Sequence, residues 1–349
     1  MIRLSIVDLA WRRRRFAVAL VGTSVVLALT LVLAGVNASF PNEAHRTVAA
    51  FHAREWIVPA GTPGPFMSSA TLPASTAAAF APPSRGGPAS PVGVLRGTLD
   101  HGAARTDVNI LGVVPRAFTA PPIVEGRAPS ASGEATAERS LGLAVGSDAT
   151  VNGHAIRIVG RTSGLTYRAG VPTIYVTLEQ AQAIAYGGQP LATTIAVQGS
   201  PASIPTTLTV RTNDDTVRDL LAPIVNARKT ITLILALLCV VAALVIGSVV
   251  YLSTIDRIRD IAVFKAIGAT NRSLLVGVVV QALAVATVAC VVGAVLAHLI
   301  GPILPMRAEI AGWHHVLLIG VAVAVAGAAS GSAVRRILTI DPTFAFEGA

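Results

Sequence analysis

Four long segments of this chain, residues 16–40, 230–254, 273–301 and 315–334, contain no Asp, Glu, Lys or Arg. No other feature restricts the fold as strongly. A bilayer is crossed by about 20 residues of helix. Backbone groups in hydrocarbon must be paired within the segment, so each stretch is predicted to be an α-helix. Only 13% of all residues are charged, against about a quarter in soluble domains. The deficit supports a membrane protein.

The first segment follows a basic start, and Val36-Asn37-Ala38 would pass as a small-residue cleavage site. Its apolar run is longer than the roughly 7–15 residues of a signal peptide, which favours retention as a transmembrane helix. Lys and Arg near helix ends set orientation. Arg3 and the Arg12–Arg15 block precede the first segment; Arg257, Arg259, Lys265 and Arg272 lie between the second and third; Arg335 and Arg336 follow the fourth. The loop between the third and fourth has Arg307, offset by Glu309. The basic ends share one side, the cytoplasm, and both termini are expected there.

The predicted architecture is an α-helical membrane protein with four transmembrane helices and a mixed α/β extracytoplasmic domain inserted between helices 1 and 2. Residues 1–15 form a cytoplasmic amphipathic elbow, with Ile2, Ile6 and Leu9 on one face and Trp11 at the headgroups. Residues 41–229 form the outer domain, 255–272 a cytoplasmic helix or loop, 302–314 a short outer loop and 335–349 a cytoplasmic tail. No 20–50-residue repeat and no matched halves support an inverted-repeat transporter.

Within the outer region, residues 59–91 are rich in Pro, Gly, Ser and Ala and read as loop. Short β-type runs follow at 92–95, 108–114, 141–145, 155–159, 173–176 and 194–197. Asn152-Gly153 fits a tight hairpin turn. Thr177-Leu178-Glu179-Gln180 has the form of a capping box opening a helix through Tyr186. Residues 214–228 form a second helical candidate leading into the second span.

The stretch 253-STIDRIRDIAVFKAIGATNRSLL-275 places charge between two apolar segments. Ile255, Ile258, Ile261, Ala262, Lys265 and Ala266 recur at helical spacing, and Asp256 and Arg259 stand i,i+3 apart. A short surface helix stopped by Gly268 and a plain solvated loop both satisfy these facts. The order of residues resembles the segment after the second transmembrane helix of FtsX/MacB/LolC-type ABC transporter permeases: Asp256-Arg257, then Asp260, then Lys265-Ala266-Ile267-Gly268-Ala269. That family commonly has Glu at the two acidic positions and often Gly near Ala262. SLGLAVGSDATVNGHAIRIVGRT resembles the β-rich core of its outer domain, and Asp341-Pro342 with Ala345 resembles its terminal Asp-Pro-x-x-Ala pattern. One span, a large outer domain and three closing spans is also that family's layout. The Trp-Arg-rich start points toward a DevC-like or actinobacterial branch.

The resemblance implies a permease subunit of the mechanotransmission type. Asp256, Arg257, Arg259, Asp260, Lys265, Ala266 and Gly268 would contact a separate cytoplasmic ATPase. The chain would work as a homodimer with two ATPase copies and move its outer domain, for export or extraction of a substrate. In the alternative it is an FtsX-like regulator that activates a cell-wall hydrolase without transport. A sensor reporting to a partner that is no ATPase is a third reading. A periplasmic adaptor or hydrolase and membrane lipids are the other expected partners, and the expected place is the plasma (inner) membrane.

The lysines are Lys229 and Lys265, and neither sits in a GxxxxGK[ST] phosphate loop. ATP and Mg2+ are therefore expected in the partner ATPase, with no cofactor held by this chain. Scattered basic residues without interleaved aromatics argue against nucleic acid. His298 reads as an interface-seeking residue near the end of the third span, and His314-His315 lack the carboxylates or cysteines of a metal site. Gly327 and Gly331 have the spacing of a close helix contact. No HExxH or GxSxG motif is present, and the chain is not expected to be an enzyme.

Overall fold

The structure is a computed structural model and describes residues 13–81, 88–102, 104–201, 203–255, 263, 267, 270–301, 312, 313, 316, 319 and 320. The chain divides into two compact units, Phe40–Val225 and the pair Met1–Ser39 with Asn226–Ala349.

Helix α1 runs Arg13–Ala49 with Pro41 inside it. It continues nine residues beyond the apolar segment's end at Phe40 because Ala44 and Val48 bury an apolar face in the outer domain's core. Strands β1 (Glu55–Pro59), β2 (Leu72–Pro73), β3 (Ala89–His101) and β4 (Ala104–Val113) follow. The stretch expected to be loop holds β2, a 3-10 turn at Ala74–Ala79 and the start of β3. Next come β5 (Glu125–Gly126), β6 (Glu134–Glu138), β7 (Asp148–Val151), β8 (His154–Thr162), β9 (Thr166–Tyr167) and β10 (Val171–Thr177).

Helix α2 (Leu178–Tyr186) is capped by Thr177, whose side chain accepts from the Gln180 amide. Only half of the capping box forms. The Gln180 side chain turns away, and its Oε1 accepts from Ser132 Oγ at 2.7 Å and Gly133 N at 3.0 Å. Strands β11 (Leu191–Ala192), β12 (Thr194–Val197) and β13 (Leu208–Thr212) complete the sheets. Helix α3 (Asn213–Leu221) passes through a 3-10 turn at Ala222–Ile224 into α4 (Val225–Ile255), and α5 covers Asn271–Ile300.

The main sheet is ordered β13-β1-β12-β3-β4-β10-β6-β8-β5, with β7 paired to both β3 and β8. The pairings β3–β4–β10–β6–β8–β7–β3 therefore close a small barrel, in which β10–β4 and β6–β8 are parallel. Inward side chains fill it: Leu99, Val108, Ile110, Ala135, Ala137, Val151, Ile156, Ile158, Ile174 and Val176. Small barrels are filled in this way rather than hollow. The closing contact depends on the Asn152-Gly153 turn. Both residues have positive φ (47° and 84°), as the tight hairpin needs. The Asn152 side chain then accepts from Thr98 N on β3 at 2.8 Å. Strand β3 thus serves two bodies: Ala89–Val92 pairs with β12, while Leu99 and Asp100 pair with β7.

One expected strand is absent. Residues 141–145 hold the end of a 3-10 turn at Arg139–Leu141 and a bend, with Gly142 and Gly146 at positive φ. The barrel strand lies just before, in Glu134–Glu138.

Three segments are long and apolar enough to cross a membrane among the described residues: Leu20–Ala49, Asn213–Ser248 and Ala282–Ile300. Of the fourth segment, Val316, Ile319 and Gly320 are helical, and the rest lies outside the described residues. A cluster of small side chains holds α1, α4 and α5 together: Ala28, Ala242, Ala282, Ala286, Ala289 and Ala297 with Leu27, Leu31 and Ile246. At Gly293 an added Cβ would stand 2.9 Å from the Ser24 carbonyl oxygen, so these backbones approach through the missing side chain.

Candidate functional site

The sequence points to residues 255–272 as a contact surface. Asp256, Arg257, Arg259, Asp260, Lys265, Ala266 and Gly268 lie outside the described residues. Within that stretch Val263 is helical, and the Ile267 amide donates to its carbonyl at 3.1 Å. The elbow residues Ile2, Ile6, Leu9 and Trp11, the pair His314-His315, and Gly327 with Gly331 are likewise outside. His298 is described: its Nδ1 lies 2.8 Å from the Ala294 carbonyl on its own helix.

What the structure does describe is how the outer domain grips the two chain segments that enter and leave it. The entering segment is the end of α1. Glu43 is buried. Its Oε1 accepts from Thr166 Oγ1 at 2.9 Å and its Oε2 from the Gly170 amide at 3.2 Å. One turn on, Thr47 Oγ1 donates to the Thr166 carbonyl at 3.2 Å. Both residues fasten the helix to the β9–β10 hairpin.

The leaving segment is α3. Thr212 and Asp215 form a complete capping box. Asp215 also accepts from Arg218 at 2.9 Å. The Thr212 amide and hydroxyl, helped by Arg218, hold the Asp215 carboxyl below its ordinary range. Asn213 bridges two elements: its Oδ1 accepts from Trp56 Nε1 and its Nδ2 donates to the Ala53 carbonyl, each at 2.9 Å. Asp219 is buried on the inner face of α3, and its Oδ2 accepts from the Phe66 and Met67 amides at 2.9 and 3.1 Å. A Cβ at Gly64 would collide with the Asp219 side chain, so glycine is required for this approach. Burial raises the Asp219 carboxyl above its ordinary value, against the opposing pull of those two amides and of Arg211.

Between the two segments stands an aromatic cluster. Phe51 packs edge-on against Trp56 (centroids 5.1 Å) and Phe66 (5.9 Å), and Phe66 against Tyr167 (5.5 Å). Such pairs are worth about 0.5–1.5 kcal/mol each beyond their buried area. The same core receives Ala44 and Val48 from α1 and Val217 and Leu220 from α3. Both helix ends are thus packed into one core.

Sequence reasoning misses Glu43, Trp56 and Asp219. One signal was available, a lone carboxylate shortly after an apolar segment; Asp219 stands nearly opposite Val217 and Leu221 around the helix and gives no such signal.

Residues 232–342 match the model of the FtsX-like permease C-terminal family. Over 341 residues, 98% of each chain, the sequence is 38% identical to the uncharacterized ABC transporter permease Rv2563 of Mycobacterium tuberculosis. It is 34% identical over the same length to the permease Rv0072 of that organism. The periplasmic region of MacB from Actinobacillus actinomycetemcomitans aligns at 14% identity and a TM-score of 0.36, covering 46% of this chain and 89% of that one. The chain belongs to the FtsX-like ABC transporter permeases.

Proposed function

We propose that this permease works by mechanotransmission, coupling ATP hydrolysis in a separate cytoplasmic subunit to movement of its outer domain. The supporting observation is the shared core: Ala44 and Val48 at the end of α1 and Val217 and Leu220 of α3 pack into one cluster from opposite ends of the domain sequence. A body held this way responds to its helices as a unit. In this reading the chain spans the plasma membrane four times with both termini in the cytoplasm. It pairs with a second copy and engages two ATPase subunits that hold ATP and Mg2+. Asp256, Arg257, Arg259, Asp260, Lys265, Ala266 and Gly268 form the contact, which transmits closure of the ATPases to the second span. The movement serves export or extraction of a substrate.

The test is ATP turnover by the purified permease–ATPase complex in lipid nanodiscs. Arg259→Glu or Asp260→Arg is expected to abolish the difference in turnover between the complex and the isolated ATPase while the permease stays inserted. Unchanged turnover would remove the coupling role from this segment.

A further inference from the structure

Arg168 stands at the tip of the β9–β10 hairpin, where the backbone is unusual. Arg168, Ala169 and Gly170 have φ of 59°, 64° and 86°. The left-handed region is disfavoured for any residue with a Cβ, and two of these three have one. The tip is held there from two sides. Buried Asn109 on β4 donates through Nδ2 to the carbonyls of Tyr167 at 3.3 Å and Val171 at 2.8 Å. From α1, Glu43 accepts from the Gly170 amide. Strain retained under such restraint often fixes a side chain for use.

The Arg168 side chain is half-buried, yet its Nη1 donates to a neutral oxygen, Oδ1 of Asn109, at 3.3 Å. Arg96 on β3 is the cross-strand partner of Asn109 and projects from the same face of the sheet. Burial lowers the Arg168 pKa, and the neighbouring charge of Arg96 lowers it further. Asp107, on that face two residues along β4, acts on Arg168 in the opposite sense. The ion pairs among the described residues involve none of Arg96, Arg168 and Asp107. On this face of the sheet two guanidinium groups meet one carboxylate, Asp107, while Glu43 accepts from Thr166 and the Gly170 amide.

We propose that Arg96 and Arg168 bind the phosphate group of an anionic membrane lipid, with Asn109 positioning Arg168. The guanidinium fork matches phosphate oxygens. The lipid source follows from α1. The hairpin is fastened to Glu43, three residues past Phe40 at the end of the charge-free segment. At about 1.5 Å per residue the fastening point lies roughly 4.5 Å along the helix from that end. The headgroup layer is about 5–7 Å deep on each side of the hydrocarbon. Measured along the chain, Glu43 follows the charge-free segment by less than the depth of that layer. This proposal uses none of the cytoplasmic contact residues and stands or falls apart from the coupling reading.

The test is hydrogen exchange of the full-length protein in nanodiscs of phosphatidylcholine, alone or mixed with phosphatidylglycerol. Phosphatidylglycerol is expected to slow exchange severalfold in the peptide covering residues 166–173 of the natural protein, and to leave it unchanged in Arg96→Gln/Arg168→Gln. The Arg96→Lys/Arg168→Lys form keeps both charges and is expected to retain part of the slowing, which separates lost recognition from lost folding. Equal exchange in both lipids, or equal slowing in the Gln form, overturns the proposal. So does loss in the Lys form as complete as in the Gln form. Inorganic phosphate added to phosphatidylcholine nanodiscs reports a free anion; slowing equal to that from phosphatidylglycerol overturns the lipid assignment.

Discussion

The outer domain and the helical unit solve packing by opposite means. The first is built on large aromatic rings and buried polar bonds: Phe51, Trp56, Phe66, Tyr167 and Tyr175, with Glu43, Asn213 and Asp219 each satisfying backbone or side-chain donors. The second is built on alanine and glycine, with Gly293 against Ser24 and Ala28. In water, burying apolar area drives folding, so large side chains are favoured. In lipid that drive is absent, and close backbone approach between small residues replaces it. Side-chain size therefore identifies the solvent each unit is built for.

The largest test of this contrast is Trp56→Ala. It removes a fully buried ring and the donor to Asn213, and is expected to destabilise the outer domain by about 3–5 kcal/mol. Thermal unfolding of the purified protein measures it. A loss below about 1 kcal/mol would show that the aromatic cluster does not carry the core.

Asp219 sharpens the polar side of the comparison. Asp219→Ala leaves the buried Phe66 amide and the part-buried Met67 amide without an acceptor and is expected to cost about 2–3 kcal/mol. Asp219→Asn keeps an acceptor and removes a desolvated charge, so it should be near neutral. Two of the three carboxylates of α3, Asp219 and Asp215, then diverge with pH. The folded state raises the Asp219 value, so its contribution is full below the unfolded value and declines as pH rises through the folded one. Asp219→Asn should gain on the natural protein across that rise. The folded state lowers the Asp215 value, so its contribution is present above the unfolded value and lost as pH falls through the folded one. Denaturant midpoints of Asp219→Asn and Asp215→Asn against pH report the two opposite slopes.

The helical unit should respond more gently and to different changes. Gly293→Val places atoms against the Ser24 carbonyl, at a cost of about 1–3 kcal/mol by overpacking. Monodispersity and thermal stability in detergent check it. Ser24 is buried and its Oγ has no hydrogen-bond partner. Ser24→Ala should change stability least, by under about 1 kcal/mol and in the favourable direction. Destabilisation by Ser24→Ala larger than that of Gly293→Val would overturn the view that close approach governs this unit.

Local chemistry was legible where a residue type decides the backbone. Asn152-Gly153 announces the turn between β7 and β8, Thr177 announces the start of α2, and the β-branched runs of β4, β10 and β12 lie where periodicity places them. Glu134–Glu138 was not legible because EATAE lacks strand-forming residues apart from Thr136; it is a strand because β10 and β8 pair with it on both sides. Residues 141–145 mislead in reverse, since glycines at positive φ turn an apolar run into a bend. Barrel closure is invisible in the sequence because β3 and β7 meet across some fifty residues, at Leu99 and Val151. Of the candidate site, the charged residues between α4 and α5 are singled out by their order alone and lie outside the described residues, whereas Glu43 and Asp219 become meaningful only when the aromatic core surrounds them.

Strand β3 has a consequence for how such proteins can diversify. One half of it belongs to the β12 side and the other to the barrel, with no linker between them. A chimera that exchanged the barrel alone for a relative's would have to cut this strand mid-ladder and would lose both halves. Viable exchange would take the outer domain whole or alter only its connecting loops, so new specificities would arise by loop replacement on an inherited frame.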